Sequence, residues 1–155
     1  MEVRPMAVEV ERHATVDLLA VLGGRKTLGK NVRREEDLEK WIRLGLPFAA
    51  LEHFMNVLAL QADFMSRFLG ITSRTLQRRR TQNVLGKEES AQLVRLARIY
   101  QRAVNILGSH QDAVAWLRHP NITLGNKTPL DLMDTPLGEE RVHALLSRIE
   151  QGVYS

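Results

Sequence analysis

The spacing of apolar residues between Glu88 and Leu107 constrains this chain more than any other feature of its sequence. Leu93, Leu96, Ala97, Tyr100, Ala103, Val104 and Leu107 fall at steps of three and four, the period of a helix with one buried face. Neither proline nor glycine interrupts the stretch, so it predicts one long helix. The same period recurs on both sides. Leu38, Trp41 and Ile42 fit a short helix that stops near Gly45, and Pro47 then opens one carrying Leu51, Phe54, Met55 and Leu58. Met65, Phe68 and Leu69 form a brief stripe ended by Gly70, and Ile71 and Leu76 are the apolar points of the next segment. Ser109 with Asp112 predicts a capping box for the helix holding Ala113, Trp116 and Leu117. Thr128 with Asp131 repeats the device, with Pro129 at the first helical position. Val142, Leu145, Leu146 and Ile149 line a last helix that ends at Gly152. Only Val8-Glu9-Val10-Glu11 alternates like a strand; Val16–Leu22 suits a helix broken by Gly23-Gly24, and Arg33–Asp37 reads as an exposed connector. The expected fold is all-α, with about seven helices.

Several chemistries are excluded or disfavoured. Cysteine is absent, which removes disulfides, zinc–thiolate sites and cysteine nucleophiles. No apolar run approaches the roughly 18 residues of a membrane span, and the first residues lack a secretory stretch, so a cytoplasmic protein is expected. Gly24-Arg25-Lys26-Thr27-Leu28-Gly29-Lys30-Asn31 nearly spells a phosphate-binding loop, but Asn31 lacks the hydroxyl that holds Mg²⁺ and no parallel sheet surrounds it. A flexible glycine-rich turn is expected there. His13, His53, His110, His119 and His143 show no metal-ligand spacing and no local tie to a nucleophile. The expectation is no catalysis, no metal and no cofactor.

Charge points elsewhere. Residues 61–86 hold Arg67, Arg74, Arg78, Arg79 and Arg80 against Asp63 alone, which accounts for the whole net charge of +4. A local basic footprint is what phosphate contacts leave in a sequence. Aromatic residues are 5% of the chain, too few for base-stacking platforms, so duplex DNA is favoured over single strands. The footprint coincides with Ala62–Arg80, a short amphipathic helix, a glycine turn at Gly70 and a second helix rich in Ser, Thr, Gln and Arg. That is the helix-turn-helix pattern, with small Ser66 letting the helices approach. Candidate DNA contacts are Arg67, Ser73, Arg74, Thr75, Gln77, Arg78, Arg79 and Arg80, of which Arg79 occupies a position where such motifs often place a third apolar anchor.

Towards the C-terminus the chain reads Trp116-Leu117-Arg118-His119-Pro120-Asn121-Ile122-Thr123-Leu124-Gly125-Asn126-Lys127-Thr128-Pro129-Leu130-Asp131-Leu132-Met133-Asp134-Thr135, and it closes with Arg148-Ile149-Glu150-Gln151-Gly152-Val153-Tyr154-Ser155. Physically these are two helices joined by a heavily punctuated loop. The run WL..PN..LG..TPLDL.DT followed by V..LL.RIE.GVYS resembles the toxin-binding domain of the Xre/MbcA/ParS-type antitoxins. Gly70–Arg80 is similar to the GI[ST].RTLQRRR signature of the Xre-like helix-turn-helix that precedes it in that family. The likeness covers roughly residues 38–155. Asn126 stands where members often have a second glycine, and asparagine tolerates left-handed backbone.

The resemblance implies an antitoxin of a bacterial type II toxin–antitoxin system, encoded beside its toxin. Its partner would be a RES-domain toxin, an NAD-degrading or ADP-ribosylating enzyme, whose active-site entrance the C-terminal domain covers. The helix-turn-helix would bind the operon's own promoter, as a homodimer. Residues 1–35 then form an unassigned N-terminal segment, 36–107 the DNA-binding domain with the helix-turn-helix at 62–80, and 108–155 the toxin-binding domain. Candidate toxin contacts are Arg148, Ile149, Glu150, Val153, Tyr154 and Ser155, the two charges pairing with the enzyme and the apolar residues anchoring it. The alternative is a free-standing dimeric repressor whose C-terminal domain only dimerises.

Overall fold

The computed structural model describes residues 17–152, so the strand expected at Val8–Glu11 and the candidate contacts Val153, Tyr154 and Ser155 lie outside the described residues. Within them the fold is all-α. It comprises α1 (Leu18–Val21), α2 (Gly24–Leu28), α3 (Glu36–Leu44), α4 (Phe48–Leu58), α5 (Ala62–Leu69), α6 (Ser73–Gln82), α7 (Lys87–Leu107), α8 (His110–Arg118), a 3-10 turn η1 (Ile122–Leu124), α9 (Pro129–Leu132) and α10 (Pro136–Glu150). Two compact units divide the chain between Arg98 and Ile99, inside α7 rather than at its end.

The unit Asp17–Arg98 is built around α4, where Phe48, Leu51, Phe54 and Leu58 are all fully buried. Asp17 opens α1 by accepting the Leu19 N–H at 3.0 Å. Helices α1 and α2 both pack on α4. The glycine-rich turn expected at Gly24–Asn31 is therefore a short helix over Gly24–Leu28, because Leu28 and Val32 are drawn into the core. The connector before α3 is tied down as well. Asp37 accepts the N–H groups of Arg33 at 2.8 Å and Arg34 at 3.0 Å, and these bonds hold its carboxyl below the usual carboxylate range.

A buried polar junction fixes the loop between α3 and α4. Leu46 donates its N–H to Ser90 Oγ at 2.9 Å, and its carbonyl accepts the Leu85 N–H at 2.8 Å. Ser90 is 0% exposed, and its hydroxyl donates onward to Gly86 O at 2.8 Å, so the group is satisfied in both senses.

The unit from Ile99 onward takes Ile99, Tyr100, Ala103 and Val104 of α7 as one wall of its core. Ser109 caps α8 by accepting the Asp112 N–H at 3.1 Å, and Thr128 caps α9 by accepting that of Asp131 at 3.0 Å, both as the spacing predicts. Thr135 caps α10 by accepting the Gly138 N–H at 3.1 Å, with Pro136 beside it. Gly138 is required by proximity rather than by φ. A Cβ there would collide with the carbonyl of Leu132, which closes the α9–α10 corner.

Candidate nucleic-acid and partner interfaces

The first site is assembled by the α5–α6 turn. Gly70 ends α5 in the left-handed conformation, φ 68° and ψ 29°, a geometry glycine adopts without a Cβ penalty. Ser66 is buried in α5 and donates to Asp63 O at 3.0 Å, so no polar atom is stranded where α5 meets α6. Thr72 caps α6 by accepting the Thr75 N–H at 3.0 Å, and its hydroxyl meets that of Thr75 at 3.0 Å. Leu76 pins the helix to the core.

That anchoring decides which residues face outward. At 100° per residue, Arg74, Gln77, Arg78 and Thr81 point away from Leu76, and all four are exposed, as is Ser73 at the start of the helix. Arg67 is exposed in the last turn of α5. Thr75 is half-buried and occupied with Thr72. Thr81 is absent from the sequence-based candidates, although its seven-residue step from Arg74 places it on the same stripe.

Two of the expected DNA contacts, Arg79 and Arg80, are engaged by partners within the fold. Arg79 donates from Nε to both Glu89 oxygens, at 3.0 and 3.3 Å, and from Nη2 to Oε1 at 3.1 Å. Glu89 is 5% exposed and also accepts the Gly86 N–H at 2.7 Å. The position of a third apolar anchor is thus filled by an inward ion pair. Arg80 bonds Glu52 at 3.0 Å and lies 5.3 Å from the centre of the Phe48 ring, a cation–π distance.

The second site occupies the loop between α8 and α9 and the last helix. The loop is a closed turn. Asn121 pairs with Lys127 in an antiparallel bridge, its side chain accepts the Thr123 N–H at 2.9 Å, and its carbonyl accepts the N–H groups of Leu124 at 3.0 Å and Asn126 at 2.9 Å. Gly125 and Asn126 are both left-handed, at φ 70° and 61°. Asparagine therefore fills the second glycine position as its backbone tolerance predicts.

Helix α10 is clamped by Arg102 of α7. Its guanidinium donates to Ser147 Oγ at 2.6 Å, to His143 O at 3.0 Å and to His143 Nδ1 at 3.0 Å, and it lies 3.6 Å from Glu150. Arginine has no acceptor, so His143 must receive that bond as the neutral Nε2–H tautomer. Burial, and then the Arg102 charge, hold its pKa below the ordinary histidine value against a weaker pull from Glu139. Of the candidate toxin contacts, Arg148 is exposed, Ile149 is half-buried, and Glu150 is turned towards Arg102. Among the described residues no group of three His, Asp or Glu is placed to hold a metal, and no helix is long and apolar enough to cross a membrane.

Both regions match known families. Residues 37–98 match the antitoxin Xre-like helix-turn-helix domain, and residues 102–152 match the antitoxin Xre/MbcA/ParS C-terminal toxin-binding domain. A protein named antitoxin Xre from Yersinia enterocolitica is 37% identical over 132 residues, 84% of this chain and 89% of its own length. An antitoxin Xre from Photorhabdus laumondii is 30% identical, over 72% of this chain and 76% of its own. A Prs ADP-ribosylating antitoxin from a Sphingobium species is 24% identical, over 74% and 78%.

Proposed function

This chain belongs to the Xre family of antitoxins, and we propose that it neutralises an NAD-consuming toxin of the RES type while repressing its own operon. The observation that carries the reading is the presence, in order on one chain, of a helix-turn-helix domain and a toxin-binding domain. The relative whose name couples an antitoxin with ADP-ribosylation supports a toxin that works on NAD.

Neutralisation by the C-terminal segment needs no chemistry from the antitoxin. Residues Arg148–Ser155 shield the toxin's substrate entrance, with Arg148 available to a carboxylate of the enzyme. The Arg102 clamp holds the end of α10 in place, which reduces the ordering cost of docking. Operator binding uses the exposed stripe of α6. Arg74 and Arg78 reach guanine edges or phosphates, Ser73, Gln77 and Thr81 add polar contacts, and Arg67 holds the backbone. A homodimer places two such helices on the half-sites of a palindrome in the cytoplasm.

Co-expression with the product of the adjacent gene tests the reading. Growth and NAD levels are restored by the full chain if it holds. A chain that binds its promoter yet neither binds nor restrains that product is a free-standing repressor instead.

A further inference from the structure

Only three large hydrophobic residues are exposed among the described residues, and two of them, Ile122 at 87% and Leu137 at 70%, fall in the segment matched as toxin-binding. Ile122 is not on a loose loop. It opens η1, whose backbone is closed by the Asn121 bonds and whose Leu124 is buried as an anchor. The turn therefore holds an isoleucine out in water in one fixed geometry, an arrangement that contributes nothing to the core. Leu137 is the second residue of α10, and η1 packs on α10.

Leu137 also begins a stripe. Leu137, Arg141, Ala144 and Arg148 stand at i, i+4, i+7 and i+11 on one face of α10, and all four are exposed. Within the described residues neither the Arg141 nor the Arg148 side chain makes a hydrogen bond or ion pair, whereas the Arg102 guanidinium is held by Ser147, His143 and Glu150. From Leu137 to Arg148 the stripe runs about 17 Å at 1.5 Å per residue.

We infer that Ile122, Leu137, Arg141 and Arg148 form one docking strip for the toxin, whose surface offers an apolar recess at the Ile122–Leu137 end and carboxylates along the arginine edge. The strip rests on the toxin-binding reading and deepens it, because it extends the contact from the C-terminal segment along the whole of α10. A folded protein is favoured over nucleic acid by the two bare aliphatic side chains, which a phosphate backbone would leave wet. Rigid presentation makes them efficient anchors, since no loop is ordered on binding.

The test uses the full chain and the purified product of the adjacent gene, with affinity measured by calorimetry, operator binding by anisotropy and folding by thermal unfolding. Ile122→Asp with Leu137→Asp, and separately Arg141→Glu with Arg148→Glu, each weaken toxin binding by at least about tenfold, while Arg43→Glu on α3 does not. The apolar pair leaves thermal unfolding and operator affinity unchanged. Should aspartate impair folding, Ile122→Ser with Leu137→Gln give the same loss of affinity in a folded chain. Toxin affinity unchanged in all three double variants, with the parent chain still binding, overturns the strip and leaves the antitoxin reading intact. Loss of operator binding in the arginine pair with toxin binding retained overturns it in favour of a nucleic-acid surface. A parent chain that does not bind the product overturns the antitoxin reading, and the strip with it.

Discussion

Replacing Arg79 by alanine separates the arginine of α6 that holds the fold from those on its exposed stripe. Glu89 is 5% exposed and has two donors, the Arg79 guanidinium and the Gly86 N–H. Removing Arg79 leaves a buried carboxylate with one neutral hydrogen bond. Breaking a buried pair costs about 3–5 kcal/mol, and water reaching the Arg79 side chain puts this case near the lower end. The Arg79 side chain is 24% exposed, so partial screening is built into its position. A loss of about 3 kcal/mol lowers the Tm of a domain this size by roughly 12–24 °C. Arg78→Ala, at an exposed position, stays within about 0.5 kcal/mol of the parent. Urea unfolding of the two variants gives the comparison directly. The double variant Arg79→Leu with Glu89→Gln removes the stranded charge, keeps an acceptor for Gly86, and recovers more than half of the loss. It also retains operator affinity. The reasoning is refuted if Arg79→Ala is as stable as Arg78→Ala, or if the double variant is no better than the single one.

Other perturbations read different parts of the structure. Arg74→Ala with Arg78→Ala weakens operator binding and flattens its salt dependence with little change in stability, checked by anisotropy across a salt series. Gly138→Ala forces a Cβ against the Leu132 carbonyl, moves α9 off α10, and costs about 1–3 kcal/mol in denaturant unfolding. Lowering the pH destabilises the unit that holds His143. Its folded pKa lies below the ordinary value of 6.5, so the unfolded chain takes up the proton first. The His143 contribution is complete above pH 6.5 and is lost as the pH falls from there through the folded pKa, and His143→Gln flattens that slope in a pH series of melting curves.

How much of this was legible in the sequence depended on whether the deciding interaction was local. The long helix and the caps at Ser109 and Thr128 follow from residues within four positions of one another, the left-handed Asn126 follows from the family likeness that puts a glycine there, and each is found. The helix at Gly24–Leu28 was missed because its cause is burial of Leu28 against distant residues, while its local composition of glycine and lysine argues for a turn. Arg79 and Arg80 looked like their neighbours Arg74 and Arg78. Their partners Glu89 and Glu52 stand ten and twenty-eight positions away, and charge counting cannot sort arginines by the side they face. Thr81 and Arg141 carried a legible signal, helical phase relative to Leu76 and Leu137, that arginine clustering and motif likeness obscured.

The most direct test of the central account compares the full chain with a version ending at Ser147, each titrated into the purified product of the adjacent gene while NAD turnover is followed. The account predicts that the full chain suppresses turnover at stoichiometric amounts and that the shortened chain, still folded and still bound to its operator, suppresses it far less. Equal suppression by both chains contradicts shielding by the C-terminal segment, and suppression by neither contradicts neutralisation itself.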